Sequence, residues 1–384
     1  MYQFLTHEKS EKIYIYISHI ILTKKGKFTK TDNFFDFIIS FLFFDHQQMG
    51  GSLSKNDLIN AERVKLDSLR SVDGACVFPG CVYYPSDRKN WMANLDPGKL
   101  AIKNIVWPGT HDSATKGMGI LAECQTLSIY EQLVKGVRVL DVRIQKDCSV
   151  CHGLIKGYNV DVVVFDDVKR FLAETVSEII ILEIRTEYGY NDPPEFHKYL
   201  VEKLGVYLIP QNEKVFGMTV AQVLPKRVIC VWKPRNSAAP RAGSPLWSAG
   251  YLRDNWINTD LPHTKFQGNL KNLSEQPPVT SRKFFYRVES TVTPQADADA
   301  VLLYFKTLWG GFSTEYASLF LGQCSSKGII DRLQVFSTDF IQDDFVDACI
   351  GLNDSRVRQL GTWSGPFGRL VSYVKEFRPQ RDEL

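Results

Sequence analysis

The chain has 384 residues, 44% hydrophobic and 23% charged, with 46 Lys plus Arg against 43 Asp plus Glu and a net charge of +3. That length holds one large domain or two ordinary ones, and the composition excludes disorder, collagen and a short disulfide scaffold. So small a basic excess argues against nucleic acid as a partner.

Residues 1–48 contain no Ala, Val, Pro or Arg but eight Phe, seven Ile and six Lys, and this bias ends abruptly at Met49. They read as a translated AT-rich non-coding stretch, so the natural start is expected at Met49 and residues 1–48 are expected to be a non-native extension. A competing reading makes FFDFIISFLFF, residues 34–44, the apolar part of a signal peptide. Asp36 interrupts it, no small-residue cleavage site follows, and the run is about half the roughly 20 residues of a spanning helix. From Met49 the chain reads MGGSLS, which makes Gly50 a candidate for N-myristoylation, whereas the C-terminal RDEL is close to a retention signal of the endoplasmic reticulum lumen. The first fits a cytoplasmic or peripheral membrane protein and is preferred here; the second fits a lumenal or secreted one.

Residues 49–94 are taken as an N-terminal leader and 95–384 as a single catalytic domain. Within it, Val- and Ile-rich runs at 100–106, 137–144, 178–184, 228–232 and 333–340 predict strands. Stretches of helical period at 129–135, 162–174, 194–204, 294–308 and 344–352 predict helices, the third opening on Pro193-Pro194. Strand and helix alternate over about 260 residues, which points to an α/β fold and favours a barrel, although only five of the eight strands stand out. Residues 233–280, rich in Pro, Gly, Ser and Asn, are expected to form a loop-rich rim. The pairs Cys76/Cys81 and Cys148/Cys151 remain open between disulfides and ordinary buried thiols.

After Met49 the chain has four histidines: His111, His152, His197 and His263. His111 lies in WPGTHDSAT after the first predicted strand, and His152 lies in CHG shortly after VRVLDVRI. Both are therefore expected at strand C-terminal ends, where barrel enzymes build their sites. Asp112, Asp141 and Arg143 accompany them. Asp141 and Arg143 are two apart, so on a strand their side chains share one side. An inward ion pair is costly to bury; it reads either as a barrel-closing bridge or as a cation held for a phosphate. CSVCH also matches the pattern of covalent haem attachment, a weaker reading.

Together NIVWPGTHDSAT, GVRVLDVRI, CHG and SEIIILEIRTEYG resemble the X region of phosphatidylinositol-specific phospholipases C, of the bacterial and X-domain-containing type, and above all plant phospholipase C-like phosphodiesterases. The resemblance spans about 100–355 and implies a distorted TIM (β/α)8 barrel. It implies that His111 is the general base toward an inositol 2-hydroxyl and His152 the general acid toward the leaving diacylglycerol oxygen. Two imidazoles suit this, since their ordinary pKa near 6.5 lets one be neutral while the other is protonated. By the same resemblance Asp112 supports the acid and Asp339, in VFSTDF, orients His111. Calcium-dependent relatives carry Asn at the place of Asp112 and a carboxylate at that of Arg143, so metal independence and no cofactor are expected. Arg185, Asp254 and Trp256 are the implied substrate contacts, and Lys233 or Arg235, after the strand VICVW, is a further candidate cation. The expected partners are a phosphoinositide or related lipid and a membrane surface, with the chain a monomer; a non-catalytic phosphoinositide-binding module is the alternative.

Overall fold

The computed structural model describes residues 55–70, 77–119, 122–293 and 316–359. The readings at 1–48, Gly50, Cys76, the 294–308 helix and the RDEL tail lie outside the described residues. Ten strands are present among the described residues. They are β1 (Trp107–Thr110), β2 (Val139–Ile144), β3 (Ser149–His152), β4 (Ile155–Asn159), β5 (Ile180–Thr186), β6 (Val228–Lys233), β7 (Trp247–Ser248), β8 (Leu252–Asp254), β9 (Phe285–Glu289) and β10 (Val335–Thr338).

Eight of them form one parallel path in the order β7-β6-β5-β2-β1-β10-β9-β8. Its two ends, β7 and β8, are joined by only the turn Ala249–Tyr251, so the chain itself crosses the seam of a nearly closed barrel. The antiparallel hairpin β3-β4 branches from the end of β2 and carries His152. Val228 to Trp232 and Ile180 to Leu182 are buried throughout, as strands covered on both faces require.

The helices longer than one turn are α1 (Lys55–Asp67), α2 (Ile129–Lys135), α3 (Asp166–Glu174), α4 (Phe196–Leu204), α5 (Pro262–Ser274), α6 (Ala317–Ser326) and α7 (Asp343–Gln359). Helix α2 begins with a reciprocal cap between Ser128 and Glu131 and stops at Gly136, whose φ of 110° suits a residue without a Cβ. Gly109 lets β1 sit close between its neighbours: a Cβ there would lie 2.4 Å from Ser337 Oγ and 3.1 Å from Val139 Cβ. At the N-terminal face Arg138 is wholly buried and donates to Glu178 from Nε and Nη2 at 3.0 and 2.6 Å, a structural ion pair.

Two expectations need correction. The 100–106 run is not a strand: it holds the tight turn Ile102–Asn104, with Leu100, Ile102, Ile105 and Val106 buried beneath the barrel. The strand follows at WPGT, where Pro and Gly lower strand preference. Likewise 233–280 is more than rim, because it supplies β7, β8 and α5. Two- and three-residue strands carry no readable alternation. The α5 sequence PHTKFQGNLKNLS contains poor helix formers and is held by packing, with Gly268 set against Ile257. Cys148 and Cys151 are free thiols, and Cys81 is disulfide-bonded.

Candidate active site

The strand register layers the barrel interior by charge. Asp141 on β2 is level with Glu183 on β5, while Arg143 is level with Arg185, and Arg185 with Lys233 on β6. Residues level in a parallel sheet project to the same side, so two acids lie beneath three cations. Glu183 binds the array together: Oε1 meets Arg185 and, at 2.9 Å, Lys233 Nζ, while Oε2 accepts from Arg287 at 2.7 Å. Burial raises the Glu183 carboxyl, but Arg185, Arg287 and Lys233 overcome this and hold it down at about 2. Asp141 is likewise held far below the carboxylate range against its burial by Arg185, Arg143 and Arg287.

Above this floor the strand ends deliver the reactive groups. His111 follows β1, and its Nδ1 lies 2.9 Å from Asp339 Oδ1, just after β10. Its Nε2 lies 2.7 Å from Arg143 Nη2. A guanidinium can only donate, so at this contact Nε2 bears a lone pair and Nδ1–H points to Asp339. Burial alone would depress this imidazole; Asp112 and Asp339 outweigh it, and against Arg143 they push it up to about 9. The geometry therefore describes the base form, and the two carboxylates set the pH at which that form fills.

Asp112 is buried with φ of 41°, a strained conformation of the kind that gathers at functional sites. Its Oδ1 lies 2.8 Å from Arg143 Nε, and its Oδ2 lies 3.4 Å from His111 Nε2 and 3.5 Å from His152 Nε2. His152 points its Nδ1 at the Ala122 carbonyl, 3.0 Å away. This fixes the tautomer and leaves Nε2 facing the site. The two rings stand edge to face at 6.4 Å between centroids. Trp256 stacks on His111 at 5.6 Å.

These groups border a cavity of about 350 Å³ lined by His111, Arg143, His152, Arg185, Asp254 and Trp256, with Glu289 and residues 291–293 closing one side. Of the residues expected from the sequence, Asp112, Asp141 and Asp339 stand buried behind this lining. Lys233 is not on the wall; its ammonium is turned to Glu183.

Residues 108–231 match the family described as phosphatidylinositol-specific phospholipase C, X domain. Over that segment the chain is similar to this X-domain family. A 1-phosphatidylinositol phosphodiesterase of Listeria monocytogenes is 34% identical over 112 residues, 27% of this chain and 35% of that protein. A PI-PLC X-box domain-containing protein of Dictyostelium discoideum is 25% identical over 226 residues, 50% of this chain and 30% of that protein. The chain thus spans about a third of the length of the curated relatives it matches. The solved phosphatidylinositol-specific phospholipase C from Listeria monocytogenes superposes with a TM-score of 0.54 at 19% identity, over 70% of this chain and 98% of that one, a likeness in fold.

Several residues of this site carried no assignment from the sequence. Arg287 and Glu289 on β9 are two apart and form an ion pair at 2.7 Å, repeating the charged spacing of Asp141/Arg143 and Glu183/Arg185. That repetition in FYRVE was a usable signal. Glu187, 3.4 Å from Arg143, and Lys265, 4.0 Å above the Trp256 ring, gave none, since each sits in a segment without readable period. Among the described residues His111, Asp112 and Cys124 bring ligand atoms within 4.8 Å of one another. Arg143 already contacts both His111 and Asp112, so a fixed positive charge stands at that point.

Proposed function

We propose that this chain is a phosphodiesterase that cleaves a phosphoinositide-type phospholipid by paired-imidazole acid-base catalysis, with Arg143 providing the charge that calcium provides elsewhere. The observation that carries the reading is one cavity in which two histidines, each with a fixed tautomer, flank a pair of neighbouring guanidiniums. Arg143 and Arg185, level on adjacent strands, form a surface for an anion, and the acids beneath them keep both charged.

As the phosphate draws Arg143 Nη2 off His111 Nε2, that nitrogen accepts the proton of the inositol 2-hydroxyl and the freed oxygen attacks phosphorus. His152 Nε2 delivers a proton to the glycerol oxygen as its bond to phosphorus breaks. The products are a cyclic phosphodiester of inositol and diacylglycerol. Asp339 orients the base, while Asp112 stands between the two rings and anchors Arg143. Each proton transfer is typically worth about 10²–10⁴ in rate. Asp254 and Trp256 line the side of the cavity available to the inositol ring.

A divalent ion does not fit this set. Calcium takes about 6–8 oxygen ligands, whereas Arg143 lies within 2.8 Å of Asp112, 3.6 Å of Asp141 and 3.4 Å of Glu187, spending the nearby carboxylates on a guanidinium. We therefore infer metal-independent cleavage. Among the described residues no helix is long and apolar enough to cross a membrane. The test of function is hydrolysis of phosphatidylinositol by the purified chain, with release of diacylglycerol.

A further inference from the structure

Helix α5 carries Lys265 in its first turn, and nothing in its own sequence caps that end: Leu261 precedes it, and the first turn lacks an acid. The cap comes from α1, 202 residues earlier in the chain. Glu62 Oε2 accepts from the Thr264 backbone N–H at 2.7 Å and from its hydroxyl at 3.1 Å. This is the third helical residue after Leu261, where a capping oxygen is expected, and a carboxylate also suits the positive helix end. Lys55, also on α1, pairs at 2.7 Å with buried Asp260 in the loop leading into α5. From the same loop Trp256 reaches over His111. Lys265 is buried under the Trp256 ring, 4.0 Å from its centroid, and donates to the Ile257 carbonyl at 3.0 Å.

The contacts thus form one line, from Glu62 to the start of α5, to Lys265, to Trp256, to His111. We propose that α1 is an intramolecular brace for the active site, with Glu62 and Lys265 as positioning residues that hold Trp256 stacked on the general base. Neither lies on the cavity wall, and α1 lies outside the matched segment 108–231. This rests on the proposed function for its kinetic consequences, but not for its structural one. A substrate ring that must lie beside both Trp256 and His111 meets a correctly set wall only while α1 is docked.

The test combines kinetics with the emission of Trp256, taken as the wild-type spectrum minus that of Trp256→Phe. Full-length Glu62→Ala, Glu62→Gln, Lys265→Met and the Glu62→Ala/Lys265→Met double variant are compared on phosphatidylinositol micelles. Glu62→Ala and Lys265→Met each lower kcat/KM about tenfold, the equivalent of one lost cap. The double variant falls no further than the worse single one, since both act through Trp256. Glu62→Gln keeps an acceptor oxygen and restores most of the rate. In Glu62→Ala and Lys265→Met the Trp256 emission shifts further to the red, as a ring already 40% exposed loses its packing on His111. Should Glu62→Ala fail to fold, Lys55→Ala, which breaks only the tie to Asp260, must show the same spectral shift. Unchanged Trp256 emission in a folded Glu62→Ala, Lys55→Ala or Lys265→Met overturns the brace, as do strictly additive kinetic effects. A red shift in a wild-type background inactive on phosphatidylinositol leaves the brace standing and refutes the function instead.

Discussion

Replacing Arg143 by Lys is the perturbation that separates a planar fork from a point charge. Arg143 places Nε 2.8 Å from Asp112, an ion pair, and Nη2 2.7 Å from His111, a hydrogen bond, both from one planar group. A lysine ammonium on an unbranched stem can restore one of these contacts but not both. Its loss removes one charge-assisted hydrogen bond, about 1.5–3 kcal/mol, or about 10- to 150-fold in kcat/KM at about 1.4 kcal/mol per decade. The loss should fall on kcat more than KM, because Arg185 still meets the phosphate charge while the phosphoryl oxygens lose their second donor in the transition state. The assay is diacylglycerol release from phosphatidylinositol in mixed micelles, with the melting temperature as a check on folding. Arg143→Lys within threefold of wild type would refute the role given to the fork.

His111→Ala and His152→Ala should each abolish cleavage while leaving the melting temperature within a few degrees, since both rings sit at the barrel mouth; residual activity above about one part in a hundred would remove that histidine from acid-base catalysis. Asp339→Asn removes an anion that favours the imidazolium, so the His111 pKa falls and the acid limb of kcat/KM moves to lower pH. A limb that stays put would show that Asp339 does not govern His111. Activity should survive excess EDTA, and Arg143→Asp, which opens the carboxylate set, should gain a response to calcium; strict calcium dependence of the wild type would overturn the metal-independent reading. For Glu183 the native carboxyl titrates at about 2, below its ordinary 4.5, so its stabilisation is present above 4.5 and lost as pH falls toward 2. Urea unfolding over that range should show the loss, and Glu183→Ala should flatten it.

What could be read from the sequence was what chemistry and period mark together. The strands at 137–144, 178–184 and 228–232 were legible because buried parallel strands need unbroken Val and Ile. His111, Arg143 and His152 were legible from the motifs WPGTHDSAT, VRVLDVRI and CHG: His111 directly follows β1, Arg143 lies near the end of β2 and His152 ends β3. The short β7 and β8 were not, since two or three residues cannot show alternation, and β9 was passed over despite its Arg287/Glu289 pair. Lys233 was assigned to substrate from its place after the expected strand 228–232, yet it closes β6 and Glu183, two residues before Arg185, pairs with its ammonium. The link from Glu62 to Thr264 joins segments 202 positions apart, and neither carries a local signal.

The central claim is that His111 drives the neighbouring inositol hydroxyl onto phosphorus while His152 releases the glycerol oxygen. Phosphorus NMR of a reaction on phosphatidylinositol tests it most directly, because the two outcomes differ in chemical shift. The account predicts that a five-membered cyclic phosphodiester resonance appears first and grows with diacylglycerol, and that it vanishes in His111→Ala. An acyclic inositol phosphate as the initial product, with no cyclic species at early times, would contradict it.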